Sequence, residues 1–189
     1  MDYIPAAEFL SWARVHAIAP DPECLCYLGR RSHDRFWEVP QRAADLPFFL
    51  NHLLEGLDPW EHCYLWPRRG WAYAGTRERP KEQMYGIILD SAGIRPDFDG
   101  AVRYPKSEME KLTAAAFASL VFGWTVADDL FVIPDHARQI VQTSHHEVVH
   151  VTFAEEQRVA TYVEHMAAEE YVLPSELPDA TFKRPDWMA

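Results

Sequence analysis

His145-His146-Glu147-Val148-Val149-His150-Val151-Thr152-Phe153 is the stretch on which the fold turns. Within it lies H-E-x-x-H, which zinc peptidases carry on a helix. There the two histidines share one face and the glutamate activates a metal-bound water. Val148, Val149, Val151 and Phe153 are β-branched or aromatic, however, and favour an extended chain. In a strand His146, Val148 and His150 point to one face, and Glu147 and Val149 to the other. His146 and His150 then stand ~13 Å apart at ~3.3 Å per residue, too far to share one ion. The extended reading is preferred. It makes a hairpin of Gln139–Thr143 and Val148–Phe153, with Ser144, His145 and His146 near its tip.

Downstream, residues 154–169 read as a helix. Val159, Tyr162, Val163 and Met166 recur at i, i+3, i+4 and i+7. Gln157, Arg158, Thr161, Glu164 and His165 take its other face, and Glu155 and Glu156 fall in its first turn, where the helix dipole favours carboxylates. Residues 174–189, with Pro174, Pro178 and Pro185, form an irregular tail that Phe182 and Trp187 are expected to pack down.

Upstream, residues 130–133 suit a strand ended by Pro134. Ser107 and Glu110 stand in the capping-box relation and open a helix. Met109, Leu112, Ala116 and Leu120 line one face of it, widened by Phe117 and Val121, which predicts a buried central helix. Residues 81–92 read as a helix stopped by Gly93, and residues 95–100 as a loop. Residues 62–66 and 71–74 look like two strands joined across Pro67-Arg68-Arg69-Gly70. Asp45 is a candidate N-cap for a helix striped by Leu46, Leu50, Leu53, Leu54 and Leu57. Residues 24–28 and 35–39 suit two strands paired across Gly29-Arg30-Arg31-Ser32. Residues 5–18 read as a helix with Phe9, Trp12, Ala13 and His16 on one face. The sum is about seven short, mostly antiparallel strands and five helices, an α+β fold in a single domain spanning residues 1–189.

The chain has 189 residues, 48% of them apolar and 25% charged, the balance of an ordinary globular protein. With 29 acidic and 18 basic side chains its formal net charge is −11. Such a surface repels phosphate backbones, so nucleic acid and anionic membranes are poor partners and a basic protein is a better one. Cys24, Cys26 and Cys63 do not form a disulfide framework and suit a reducing compartment. The start of the chain shows neither a basic n-region nor an apolar h-region, and no stretch approaches the ~20 apolar residues of a membrane span. The expectation is a cytoplasmic protein. Fourteen arginines against four lysines, with a single asparagine, fit a GC-rich bacterial coding sequence.

Four constellations are candidate sites. His145, His146 and His150 offer metal ligands without a helix to gather them. Cys24, Cys26, His62 and Cys63 hold enough ligands for zinc, but C-x-C is not the C-x2-C of a knuckle. Asp97-Phe98-Asp99-Gly100 begins like a calcium loop and lacks the later ligands. Trp60, Trp66 and Trp71 suit either a core or a partner contact. No P-loop, G-x-G-x-x-G or G-x-S-x-G motif is present, and no cofactor is implied. The expected function is therefore an acidic protein-binding inhibitor, of the physical profile of bacterial immunity proteins that neutralise basic toxins. Asp128, Asp129, Glu155, Glu156 and Glu164 are its candidate contacts. The alternative is a metal-dependent hydrolase built on His145, His146 and His150.

Overall fold

The computed structural model describes residues 1–20, 25–27, 33–67, 70–71, 80–95, 98–126, 129–143, 148–171 and 173. In chain order its strands are β1 (Asp2–Pro5), β2 (Ile18–Pro20), β3 (Leu25–Tyr27), β4 (His33–Glu38), β5 (His62–Pro67), β6 (Gly100–Pro105), β7 (Leu130–Pro134), β8 (Gln139–Thr143) and β9 (Val148–Phe153). Its helices are α1 (Ala6–Val15), α2 (Leu46–Glu55), α3 (Pro80–Ser91), α4 (Met109–Val126) and α5 (Gln157–Ala168). Seven strands form one antiparallel sheet in the order β1-β6-β5-β7-β8-β9-β4, and β2 pairs with β3 apart from it. The fold is α+β, with five helices and a seven-stranded antiparallel sheet among the described residues.

Alternation along the strands splits the sheet into two faces. Cys63 and Leu65 of β5, Val102 and Tyr104 of β6, Leu130 and Val132 of β7, and Val149, Val151 and Phe153 of β9 join one core cluster. The buried stripe of α2, together with Leu112, Ala115 and Ala116 of α4 and Val159, Tyr162 and Met166 of α5, covers that face. The opposite face gives Tyr64, Ala101, Phe131, Ile133 and Ile140 to a smaller cluster with Phe9 and Ala13 of α1 and Ile18 and Tyr27 of β2 and β3. Each large apolar side chain so buried contributes about 1.5–3 kcal/mol. Trp12 and Trp66 pack against this smaller cluster, whereas Trp37, Trp60 and Trp71 are buried with the larger one. The tryptophans of the β5 region are thus packing residues.

Gly100 is where β1 meets β6. Its φ of +149° lies in the range glycine favours, and a Cβ there would collide with the carbonyl oxygen of Ile4. Gly93, at φ +83°, ends α3 as the sequence predicts.

Several local expectations are corrected. Strands β3 and β4 are not a hairpin: β3 pairs with β2, and β4 pairs with β9 from His33↔Phe153 to Glu38↔Val148. A short turn between two apolar runs signalled local pairing, but each strand has a better partner elsewhere. Asp45 stands at the head of α2 in a helical conformation and makes no side-chain capping bond, because a short 3-10 turn at Ala43–Asp45 already leads into the helix. Ser107 likewise lies inside a 3-10 turn, Lys106–Glu108, and not at a helix N-cap. Strand β6 begins at Gly100 and β1 at Asp2, both unpredicted. Strand β5 is flanked by β6 and β7, and residues 72–74 of the expected 62–66/71–74 hairpin lie outside the described residues. So does the tail, 174–189. No helix among the described residues is long and apolar enough to cross a membrane.

Candidate functional site

The acidic residues singled out in the sequence occupy two settings. Glu155, Glu156 and Glu164 are exposed on and just before α5, as are Glu169 and Glu170 just beyond it. Arg158 lies 3.8 Å from Glu155 and donates to Asp58 at 3.0 Å. One arginine thus faces five carboxylates over residues 155–170. Asp129, by contrast, is buried at 4% exposure and accepts a hydrogen bond from Gln142 Nε2 at 2.8 Å. Its carboxylate belongs to the sheet and not to the acidic surface. Asp128 lies outside the described residues.

The histidine motif is divided in the same way. His145, His146 and Glu147 lie outside the described residues, while His150 stands in β9, between Phe36 of β4 and Gln142 of β8. Its ring meets Phe36 edge-on, centroids 4.1 Å apart. A strand at His150 is what the valines implied, and the helix a zinc peptidase needs is not formed there. Cys63 is fully buried in the larger core, and burial first, then the Asp135 carboxylate, pushes its thiol well above the ordinary value. It faces away from His62, as strand neighbours do, so the two do not share a metal. Cys24 and the side chain of Cys26 lie outside the described residues.

A different cluster forms where β5 begins and β7 ends. The register pairs Cys63 with Pro134, which sets His62 beside Asp135. Two hydrogen bonds lock them: Asp135 N–H donates to the His62 carbonyl at 2.8 Å, and His62 N–H donates to Asp135 Oδ2 at 3.0 Å. Glu61 is held from the other side, its carbonyl accepting the Lys106 N–H at 2.9 Å. One ligand atom each from Glu61, His62 and Asp135 then lie within 4.8 Å of one another. Glu61 is exposed, and His62 and Asp135 are about one-third exposed, at 37% and 33%.

The turn that carries Asp135 is itself braced. Ala137 has φ +54°, and Arg138 N–H donates to His136 Nδ1 at 3.1 Å. That bond fixes the neutral ring with its proton on Nε2, which faces the Asp58 carbonyl at 3.3 Å. Burial, the main cause, holds the His136 ring below the ordinary histidine value. Gln139 Oε1 accepts the Asp58 N–H at 2.9 Å, and Arg138 and Arg158 both lie on the Asp58 carboxylate.

A second histidine pair is closed. His52 of α2 and His165 of α5 stack at 3.9 Å with 10° between ring planes. Each Nε2–H donates to the other's backbone carbonyl at 2.8 Å. The pairing is reciprocal and joins α2 to α5.

No family model, no curated protein and no solved structure matches the chain.

Proposed function

We propose that this is an acidic protein-binding protein of the inhibitor or immunity type, which neutralises a basic protein by occupying it in the cytoplasm. The observation that carries the reading is the exposed acidic run around α5, Glu155, Glu156, Glu164, Glu169 and Glu170, on a chain of net charge −11. Arg158 pairs with Glu155 of this run and is shared with Asp58. A surface of this kind raises the rate of encounter with a positively charged partner, and salt weakens it within a Debye length of about 10 Å at 0.1 M. The helix that carries Glu164, and that the other four glutamates flank, is anchored by buried Val159, Tyr162 and Met166.

The test is capture of partners by the tagged chain at low salt, against a Glu155→Lys, Glu156→Lys, Glu164→Lys variant. Three reversals of two units each take the net charge from −11 to −5. The expected result is one basic protein in stoichiometric yield, released by salt and not retained by the variant. Equal retention by both chains would overturn the reading.

A further inference from the structure

We propose that Glu61, His62 and Asp135 hold a divalent first-row metal ion, of the zinc or manganese class, at the corner between β5 and β7. The donor set is one imidazole and two carboxylates, a borderline mixture suited to such ions and poor for soft ones. Its two negative charges match the charge of the ion.

The spacing supports the assignment. His62 Nδ1 stands 3.7 Å from Asp135 Oδ2. That is beyond the ~3.2 Å limit of a good N–H···O hydrogen bond. It is near the separation of two donors sharing one ion, since bonds of ~2.1 Å at the tetrahedral angle place donors ~3.4 Å apart. A spread of at most 4.8 Å, against the ~4.2 Å span of two opposed ligands, leaves at most a short closing movement for one side chain to make. Glu61, exposed and free to change rotamer, is the one able to do so.

The backbone around the corner is already fixed by the Asp135–His62 and Lys106–Glu61 hydrogen bonds, so little order remains to be imposed on binding. Among the described residues neither Glu61 nor Asp135 forms an ion pair with a lysine or arginine. Arg138 and Arg158 lie on Asp58, and Lys106 Nζ sits 5.4 Å from the Trp60 ring centre. Three protein donors leave coordination positions for water, which makes this an open site and not a sealed structural one.

The experiment is titration of the metal-stripped chain with ZnCl2 and, separately, MnCl2 by calorimetry, with Co2+ as a spectroscopic probe. One ion per chain is expected. Visible Co2+ bands should appear without the thiolate charge-transfer band that Cys63 would give. Loss of an outer-sphere partner of a metal costs ~10–100-fold in affinity, so loss of a ligand should cost at least ~10-fold in Glu61→Gln and more in His62→Ala. A His145→Ala, His146→Ala double variant should bind as the parent does. Glu61 is exposed and its replacement leaves the fold intact, so this variant decides the matter even if His62→Ala fails to fold. The proposal is overturned if the stripped chain takes up neither ion. Unchanged affinity in Glu61→Gln also overturns it, as does loss of the ion in the His145/His146 variant.

Discussion

The stacked pair His52 and His165, and His62 at the β5–β7 corner, show the same residue type in opposite conditions. In the stacked pair each ring spends its Nε2–H on the partner's carbonyl and its faces on the other ring. The Nε2 of each ring is thereby consumed, and the pair acts as a rivet between α2 and α5. At the corner the hydrogen bonds run through backbone atoms and Asp135 Oδ2, and the His62 ring makes no hydrogen bond to the carboxylate beside it. Geometry is fixed in both places. What differs is whether side-chain donors are consumed in fixing it, and that separates packing histidines from candidate ligands better than burial does.

Breaking the rivet should have the largest effect. Gly56 has an ordinary helical φ of −71°, but a Cβ there would run into His165 Cδ2, with Tyr162 Cε2 3.1 Å away. Gly56→Leu should therefore cost about 3 kcal/mol of stability in urea unfolding, because the stacked ring must leave its place. A cost below about 1 kcal/mol would show that the stack yields easily. Next comes Tyr162→Phe. The Tyr162 hydroxyl donates to the Leu53 carbonyl at 2.7 Å in a fully buried setting, and its loss orphans that carbonyl. The expected cost is about 1–2 kcal/mol, read by the same measurement.

At the corner the effects are smaller and depend on solution conditions. The folded chain holds His136 below its ordinary value of 6.5, mainly through burial. On lowering the pH through 6.5 the unfolded chain takes up a proton before the folded one does, so stability falls across that window and is intact above it. The charges facing the ring are Arg138, Asp58 and Asp135. In chelator-containing buffer, His136→Asn should flatten the fall, and an unchanged slope would assign it to another group. Smallest of all is Asp135→Asn, also without metal. Its amide oxygen can still accept the His62 N–H, so a change within about 0.5 kcal/mol is expected even though a ligand charge is gone.

The helices and the β8–β9 hairpin were legible because their evidence is local. Leu46, Leu50, Leu53, Leu54 and Leu57 announce α2, and all five are buried. The valines around His150 announce β9 in the same way. Strands β1 and β6 escaped because they pair Asp2 with Arg103, a partnership that no turn residue marks. Local evidence also misled: the Gly29–Ser32 turn pointed β4 at β3, while its partner β9 lies more than a hundred residues on. Glu61 and Asp135 were missed for that same reason, and His62 was grouped with Cys24, Cys26 and Cys63 instead. Each of the two acids looked like a polar residue beside a strand, and only the β5–β7 register brings the three together. A usable signal was present in Glu61-His62 just before one apolar run and Asp135-His136 just after another.

The pairing of β4 with β9 also bears on how the chain is made. Residues 33–38 leave the ribosome long before residues 148–153 exist, and at roughly 5–20 residues per second the wait is on the order of ten seconds. Throughout that interval β4 has its pairing edge unspent, and Trp37, almost fully buried at the end, has no core to enter. The nascent chain thus offers chaperones an unpaired strand edge and the Trp37 indole, which the finished protein hides, and the sheet closes at this edge only once synthesis has passed β9.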